Sequence, residues 1–343
     1  MQVFDLVDGQ FCLGRHSFAG ESVLPDNSIL LERTPFSFVS VTWDVFWTAC
    51  CNLSQQVSPD WVFVDASYDP ICFSNETIAT RRQQLNEIWP NAKICILSAR
   101  AQHFYDNLQG CVYFPLFLMI NYPALPEPRA RAGRIGCLNR RNAVHRLWLM
   151  HHLLNQQLID PERDVYSIKF TSVHSDNYFD IDGKLSINWF NQAQQQWPKS
   201  IETHPDNFPN DYSIAHPAWH TGIAIITETE PGSDTIMTEK TAKGILSKSC
   251  FSIYMAEAGY RVLEDLGFLP RFFPDHAEEL NIDPVIDICK NIATESQALE
   301  YRQNYIDQIE HNFKWFGVDQ ALLNNRPWWQ CYQPKLQQAL DSL

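Results

Sequence analysis

The segment Ile226–Met255 reads ITETEPGSDTIMTEKTAKGILSKSCFSIYM and indicates the fold more clearly than any other part of the sequence. It begins at the end of an apolar run, breaks at a Pro-Gly pair at 231–232, and offers Thr-Glu-Lys at 238–240 before a second apolar run. Two apolar runs separated by a helix-initiating triplet predict a strand, a helix and a parallel strand. The charged triplet would then lie where the chain enters the helix.

The same alternation extends over most of the chain beyond residue 60, whereas the residues before it are expected to be irregular. Short apolar runs predict strands, and the more polar sequence between them predicts helices. The predicted strands are 61–67, 93–99, 111–118, 134–139, 165–170, 221–228 and 250–255; the predicted helices are 76–89, 101–108, 140–158, one that starts near 239, 259–267 and most of 284–343. This pattern predicts an α/β protein with parallel sheets covered on both faces.

A proline-rich break at 121–133 separates two α/β halves. We expect an N-terminal Rossmann-like domain at 1–128, a C-terminal Rossmann-like domain at 129–325 and a C-terminal helical tail at 326–343. The length of 343 residues suits two hydrophobic cores better than one. Two such halves would leave a cleft between them, and ligands of these sheets bind beyond the carboxyl ends of the strands.

Composition and charge exclude several classes of protein. The formal net charge of −14 opposes non-specific binding to nucleic acid or to an anionic membrane. The longest apolar run, at 111–120, is too short to span a bilayer, so no membrane insertion is expected. The N-terminus lacks the features of a signal peptide, and the ten cysteines lack CxxC spacing. We therefore expect reduced cysteines and a cytoplasmic location.

An unusual basic stretch runs from 128 to 159, which contains six arginines and no Asp or Glu. Arg140 is expected just after a strand and at the start of a helix, where guanidinium and backbone N–H groups suit a phosphate or pyrophosphate. Arg146 would lie one turn further along. For both arginines, pairing with a surface carboxylate is the alternative. The histidines at 145, 151 and 152 lack i, i+4 spacing, so structural or solvent-facing roles are expected and no metal site is predicted.

The opening segment resembles the donor-binding segment of the alpha-1,3-fucosyltransferases and related fucosyltransferase-like proteins. The resemblance rests on Glu228 at a strand end, on the triplet 238–240 followed by AKGILSKSCFSIYM, and on the later YRVLEDLGF. It covers roughly 134–275 and implies a GT-B fold, in which two Rossmann-like domains face each other across a cleft. It also implies a nucleotide-sugar in the C-terminal domain, an acceptor facing the N-terminal domain and no obligate metal. Thr229 and Ile236 depart from the family pattern.

Within that resemblance the residues of the segment have distinct expected roles. Arg140 and Lys240 would stabilise the diphosphate from two helix starts, since a metal-free site needs fixed cations and backbone donors. Glu239 would accept hydrogen bonds from ribose hydroxyls, and Glu228 would lie near the sugar or support the loop. The alternative is that Thr238 is an ordinary helix cap and Glu239 only favours the first helical turn.

Inverting transfer also needs a carboxylate that takes the proton of the acceptor hydroxyl. Asp65, at the end of a predicted strand, and Asp44, in VTWDVFW, are the candidates for this base, and Asp69 is a third. Each has a cap or turn role as its alternative. An aromatic and amide-rich region could provide a sugar-stacking platform, with core packing as the alternative; its aromatic residues are Trp189, Phe190, Trp197, Tyr212 and Trp219.

The sequence thus predicts a glycosyltransferase, inverting and metal-independent, that moves a sugar from a nucleotide-sugar donor to a hydroxyl acceptor. The acceptor would be a glycan or, if the basic stretch contacts phosphates, a hydroxylated base in phage DNA. The competing hypothesis is a non-catalytic nucleotide- or carbohydrate-binding protein with a degenerate GT-B fold. The sequence makes no prediction about oligomeric state.

Overall fold

The structure is a computed structural model that describes residues 2–7, 10–13, 24–33, 43–66, 75–106, 108–115, 118, 133–139, 144–160, 162–169, 200–202, 217–228, 237–273, 282–317 and 323–343. The chain divides into two compact units. The first unit combines 1–121 with 320–343, and the second comprises 122–319. The C-terminal residues therefore belong to the first unit rather than forming a separate tail.

The first unit contains a six-stranded sheet. Its strands are Gln2–Val7 (β1), Gln10–Leu13 (β2), Ser28–Arg33 (β3), Trp61–Asp65 (β4), Lys93–Ser98 (β5) and Cys111–Tyr113 (β6). Their order is β2-β1-β3-β4-β5-β6, in which β1 and β2 are antiparallel and all other neighbours are parallel. Helices Trp43–Ser54 (α1), Asn75–Ile88 (α2) and Gln102–Tyr105 (α3) follow β3, β4 and β5. From β3 to β6 the chain advances across the sheet in one direction.

The second unit contains a five-stranded sheet. Its strands are Ile135–Asn139 (β7), Val165–Lys169 (β8), Ser200–Glu202 (β9), Ile223–Thr227 (β10) and Cys250–Tyr254 (β11). The order is β11-β10-β7-β8-β9, and only the β8–β9 pair is antiparallel. The described helices are Val144–Asn155 (α4), Glu239–Leu246 (α5), Glu257–Asp265 (α6), Asp283–Asn291 (α7), Glu295–Asn304 (α8) and Ile306–Phe316 (α9).

The C-terminal helix Pro327–Asp341 (α10) packs against β6 of the first unit. Trp328 and Trp329 are fully buried, and the hydroxyl of Tyr332 donates a hydrogen bond to the backbone carbonyl of Tyr113. Burying two indoles and a phenol contributes several kcal/mol, at roughly 25 cal/mol per Å² of apolar surface. The helix is thus part of the core of the first unit.

Two glycines allow close packing around the second sheet. At Gly136 in β7, an added Cβ would lie 2.1 Å from the carbonyl oxygen of Ala218, because the turn Pro217–His220 crosses the strand there. At Gly244 in α5, an added Cβ would lie 2.7 Å from Cδ1 of Ile226 in β10. The absence of a side chain therefore lets α5 lie close to the sheet.

The overall α/β class with parallel-strand sheets is confirmed, and it is compatible with two Rossmann-like domains. The prediction that the first 60 residues are irregular is wrong, because β1, β2, β3 and α1 all lie there. Their apolar runs are short or interrupted, as in QVFDLV, so periodicity alone did not reveal them. Two elements are also shorter than predicted. The strand that starts at Cys111 ends before Pro115, and the helix near 101–108 is the single turn α3.

The described cysteines are eight free thiols. Six of them are buried, Cys51 is half-buried and Cys331 is exposed. Within the described part of the chain, none of the helices combines the length and the apolar character that a membrane span needs.

Candidate functional site

In the second sheet, β7 and β10 are neighbours, and the helices that follow them, α4 and α5, begin near the same edge of the sheet but cover opposite faces. From β7 the chain passes through α4 to β8 on one side, whereas from β10 it passes through α5 to β11 on the other. Leu147 and Met150 of α4 pack with Ile225, while Gly244 of α5 lies beside the next residue, Ile226. Consecutive strand residues point to opposite faces, so α4 and α5 cover opposite faces. Ligands of doubly wound sheets bind at such a reversal of strand order, beyond the carboxyl ends of the strands.

A buried polar network joins the strand ends at this reversal. The hydroxyl of Thr227, the last residue of β10, donates to Oδ1 of Asn139, the last residue of β7, over 2.5 Å. The backbone N–H of Asn139 donates to Oγ of Ser167 in β8 over 3.2 Å. All three residues are buried. The network joins the carboxyl ends of β10 and β7 to the middle of β8, and so holds these strands rigidly where Glu228 follows β10.

Glu228 follows β10 directly and is completely buried. One carboxylate oxygen accepts a hydrogen bond from the hydroxyl of Thr238 over 2.5 Å, and the other accepts from the hydroxyl of Thr241. Its backbone carbonyl accepts from Nε2 of His145 over 2.8 Å. Of the two roles expected for Glu228, this geometry fits support of the loop, because no part of the residue reaches solvent.

Thr238 connects the buried carboxylate to an accessible cation. It is the N-cap of α5, and its hydroxyl oxygen accepts from the backbone N–H of Lys240 over 3.4 Å and from Nζ of Lys240 over 2.9 Å. The same hydroxyl donates to Glu228. Nζ of Lys240 also lies 3.6 Å from Oε1 of Glu239, and the Lys240 side chain is 18% exposed. Thr238 is therefore a cap, but its hydroxyl also holds Lys240.

The first turn of α5 uses most of its own donors. The N–H of Glu239 bonds to its own carboxylate, that of Lys240 to the hydroxyl of Thr238, and that of Thr241 to the carbonyl of Thr238. Backbone N–H groups of this turn are thus already engaged. An anion at this helix start would be bound through side-chain cations, in contrast to a glycine-rich phosphate loop.

Glu239 is held in its charged form. Burial raises its pKa, but Lys240, Lys243, its own N–H and Arg146 together lower it below the usual value. The carboxylate is 21% exposed, so its oxygens can accept hydrogen bonds from a ligand. This combination suits the binding of neutral hydroxyl groups by an ionised acceptor.

His145 and Arg146 begin α4 and are both buried. Burial, Arg146 and Lys240 hold the pKa of His145 well below its usual range, although the bond to the carbonyl of Glu228 opposes this. The ring is therefore neutral, with its proton on Nε2. Arg146 donates through Nη2 to the backbone carbonyls of Thr227 and Glu228, each over 3.3 Å. Two residues of α4 thus hold the end of β10 in place.

The local charge contrasts with that of the whole chain. Among the described residues at this edge, Arg146, Lys240 and Lys243 are cationic, and Glu228 and Glu239 carry carboxylates. The net formal charge of this group is +1 in a protein of net charge −14. Since Lys240 is the cation with a partly exposed side chain, it is the one best placed to contact an anionic ligand.

The structure brings five of the predicted site residues together around the carboxyl end of β10. They are Arg146, Glu228, Thr238, Glu239 and Lys240. Arg140 lies outside the described residues, as do Asp69 and four of the aromatic residues suggested as a sugar platform. The fifth, Trp219, is buried. Arg146 is 2% exposed and so contributes its charge rather than an accessible surface.

Sequence reasoning missed two residues of the site, Asn139 and Thr241. It named His145 in a structural or solvent-facing role, and the structure shows that residue buried and bonded to the Glu228 carbonyl. Asn139 ends an apolar strand, which is a usable signal for a polar group at the carboxyl edge. Thr241 is three residues after Thr238 and so shares its helix face, but nothing in the sequence pairs it with Glu228.

The two candidates for the base belong to the first unit. Asp65 is the last residue of β4, at the carboxyl edge of the sheet, and is 6% exposed. Asp44 is exposed in the first turn of α1, the helix between the parallel neighbours β3 and β4. Asp44 also favours the helix start electrostatically, which is its expected alternative role.

Among the described residues, His, Cys, Asp and Glu side chains form no group of three or more that could hold a metal ion. Comparisons of the chain with protein-family models, with curated proteins and with solved structures find no match. The case for a function therefore rests on the residues and the geometry described above.

Proposed function

We propose that the protein is a metal-independent, inverting glycosyltransferase of the GT-B type that uses a nucleotide-sugar donor. The observation that carries the proposal is the Glu228–Thr238–Lys240 network at the reversal of strand order in the second sheet. It places a partly exposed cation and an ionised carboxylate side by side at a helix start. A nucleoside diphosphate offers a matching pair of features, an anionic diphosphate and a ribose with hydroxyl groups.

In this proposal Lys240 binds the diphosphate. The ammonium group carries three donors, and its bond to Thr238 defines where the group lies. The buried charges of Arg146 and Lys243 add to the positive potential, as their effect on Glu239 indicates. Arg140, at the predicted start of the preceding helix, is the second proposed diphosphate ligand. Fixed cations of this kind stabilise charge that develops on the leaving diphosphate without a metal.

Glu239 binds the ribose in this proposal. An ionised carboxylate accepts hydrogen bonds from neighbouring hydroxyl groups more strongly than a neutral acceptor does. The lowered pKa of Glu239 keeps it ionised at neutral pH. Its distance of 3.6 Å from Nζ of Lys240 is compatible with one ligand that contacts both residues.

Asp65 is the proposed general base. The acceptor hydroxyl oxygen attacks the anomeric carbon and its proton passes to the carboxylate, while the bond between the anomeric carbon and the phosphate oxygen breaks. The electron pair of that bond leaves with the nucleoside diphosphate, whose added charge is balanced by the cations at α5. Asp65 is preferred over Asp44 because it is buried at the carboxyl end of a strand, whereas Asp44 is an exposed residue of a helix. A glycan is the proposed acceptor class.

The alternative is a nucleotide- or carbohydrate-binding protein without catalysis. It is favoured by the departures at Thr229 and Ile236 from the family pattern. It is also favoured because backbone N–H groups in the first turn of α5 already form hydrogen bonds within the protein. Such a protein would bind a nucleoside diphosphate through the same residues and lack a functional base.

A hydrolysis assay over a set of nucleotide-sugars separates the two functions. GDP-, UDP-, CDP- and ADP-linked sugars are incubated with the protein in EDTA, and released nucleoside diphosphate is measured. A glycosyltransferase transfers some of the donor's sugar to water, which releases nucleoside diphosphate. This release should fall in the Lys240→Met variant. Binding of the same nucleotides without any release would support the binding protein instead.

A further inference from the structure

We propose that Glu228 is a positioning residue that fixes Nζ of Lys240 through the hydroxyl group of Thr238. This inference rests on the proposed binding of a nucleoside diphosphate by Lys240. It assigns to a fully buried carboxylate an effect on a ligand that it does not touch.

The hydroxyl group of Thr238 uses its single donor and both of its acceptor positions. The Thr238 hydroxyl has one proton and two lone pairs. Its proton is directed to a carboxyl oxygen of Glu228, over a hydrogen bond of 2.5 Å. Both lone pairs therefore face the two donors of Lys240, the backbone N–H and Nζ. Without the carboxylate, the hydroxyl could rotate its proton away, and the lone pair that holds Nζ would lose its fixed direction.

A second anchor fixes the carboxylate itself. The hydroxyl of Thr241 donates to the other oxygen of Glu228, so both oxygens are bound from one face of α5. The Thr241 hydroxyl donates to Glu228, whereas the Thr238 hydroxyl also accepts from Nζ of Lys240, so Thr241 is a matched control within the same network. Replacing either threonine by valine removes one hydrogen bond to the same buried carboxylate, but the change at 238 also removes the hydroxyl that accepts from Nζ.

The test compares diphosphate and nucleoside affinities in these variants. The probes are GDP and UDP, each measured beside guanosine or uridine by ligand-observed NMR in EDTA. Thr238→Val should weaken binding of the diphosphate about 10-fold and leave binding of the nucleoside unchanged. Thr238→Ser should restore the diphosphate affinity, and Thr241→Val should keep it within about 2-fold of wild type. In a Lys240→Met background, Thr238→Val should have no further effect.

Each contrary result has a distinct meaning. Equal losses for diphosphate and nucleoside, or a full additional loss in the Lys240→Met background, would overturn the positioning role while leaving the proposed function in place. If wild-type protein bound none of the four probes and neither CDP nor ADP, the proposed function would fall and the inference with it. Should Thr238→Val fail to fold, Glu228→Gln is measured in its place, with the same selective loss of diphosphate affinity expected.

Discussion

The amino and carboxyl edges of the second sheet both contain buried charged side chains, but the hydrogen-bond networks around these side chains differ. At the amino edge, Arg134 donates to both oxygens of Asp164 over 3.1 and 2.6 Å, and the two side chains are 4% and 0% exposed. Asp164 also accepts from the backbone N–H groups of Ile135 and Asp160. One cation and one anion are paired and surrounded by backbone partners, so this network has no component directed to solvent.

At the carboxyl edge, hydrogen bonds instead connect the buried carboxylate of Glu228 to a side chain that reaches the surface. The carboxylate accepts a hydrogen bond from Thr238, which in turn accepts one from Nζ of Lys240. The Lys240 side chain is partly exposed and lies beside Glu239. Cations outnumber carboxylates among the described residues there. The paired network at the amino edge suits stabilisation of the fold, and the positively charged network at the carboxyl edge is where we propose that an anion binds.

The largest expected effect is on stability at the amino edge. Arg134→Met leaves Asp164 as an uncompensated buried charge, so the free energy of unfolding should fall by about 3–5 kcal/mol in urea titrations. Arg163→Met is the control, because Arg163 forms an exposed ion pair with Asp160 and should cost about 1 kcal/mol or less. A folded Arg134→Met protein with 10-fold weaker nucleotide binding would contradict the division between the edges.

This division could be predicted only in part from the sequence. The strand–helix–strand unit at 223–254 was predictable because an apolar run, a Pro-Gly break, a helix cap and a second apolar run follow each other in that order. The pairing of Thr227 with Asn139 was not, since the two residues are 88 positions apart and meet only because β10 lies beside β7. Local periodicity specifies strands but does not specify their order in the sheet.

Asp65 lies at the carboxyl edge of the first sheet, where the proposed role is proton transfer rather than anion binding. If Asp65 is the base, Asp65→Asn should lower the transfer rate about 10²- to 10⁴-fold with little change in nucleotide affinity. Asp44→Asn, on the adjacent exposed helix start, should change the rate much less. Rates are measured as nucleotide release with a glycan acceptor. A fully active Asp65→Asn enzyme would show that the proton acceptor lies elsewhere.

Glu239 tests whether the carboxyl edge binds the ribose. Glu239→Gln should weaken nucleoside diphosphate binding by about 1.5–3 kcal/mol, because a hydrogen bond to a charged acceptor becomes a neutral one. Glu239→Ala should weaken it further. Loss of the first-turn charge should cost only about 0.3–1 kcal/mol of stability. Calorimetric titration and thermal unfolding of both variants check this, and lower stability with unaltered affinity would leave Glu239 as a simple helix-start residue.

The smallest expected effect is the pH dependence of the stability that Glu239 contributes. The folded-state pKa of Glu239 is below its ordinary value of 4.5, so its ionised form contributes stability that is fully present above that pH. The contribution is lost as pH falls through the folded-state pKa. The difference in unfolding free energy between wild type and Glu239→Gln should therefore be constant above pH 4.5 and shrink below it. A difference that grows on acidification would contradict the ionised state.

Metal-free anion binding at the carboxyl edge of the second sheet is tested by calorimetric titration of the protein with GDP and UDP in EDTA. We expect binding of a nucleoside diphosphate without a divalent metal, weakened about 10- to 100-fold by Lys240→Met. Lys290→Met, which removes an exposed lysine from the end of α7, should leave the affinity unchanged. Binding that appears only with added magnesium, or that is equal in wild type and Lys240→Met, would contradict a metal-free anion site at the carboxyl edge of the second sheet.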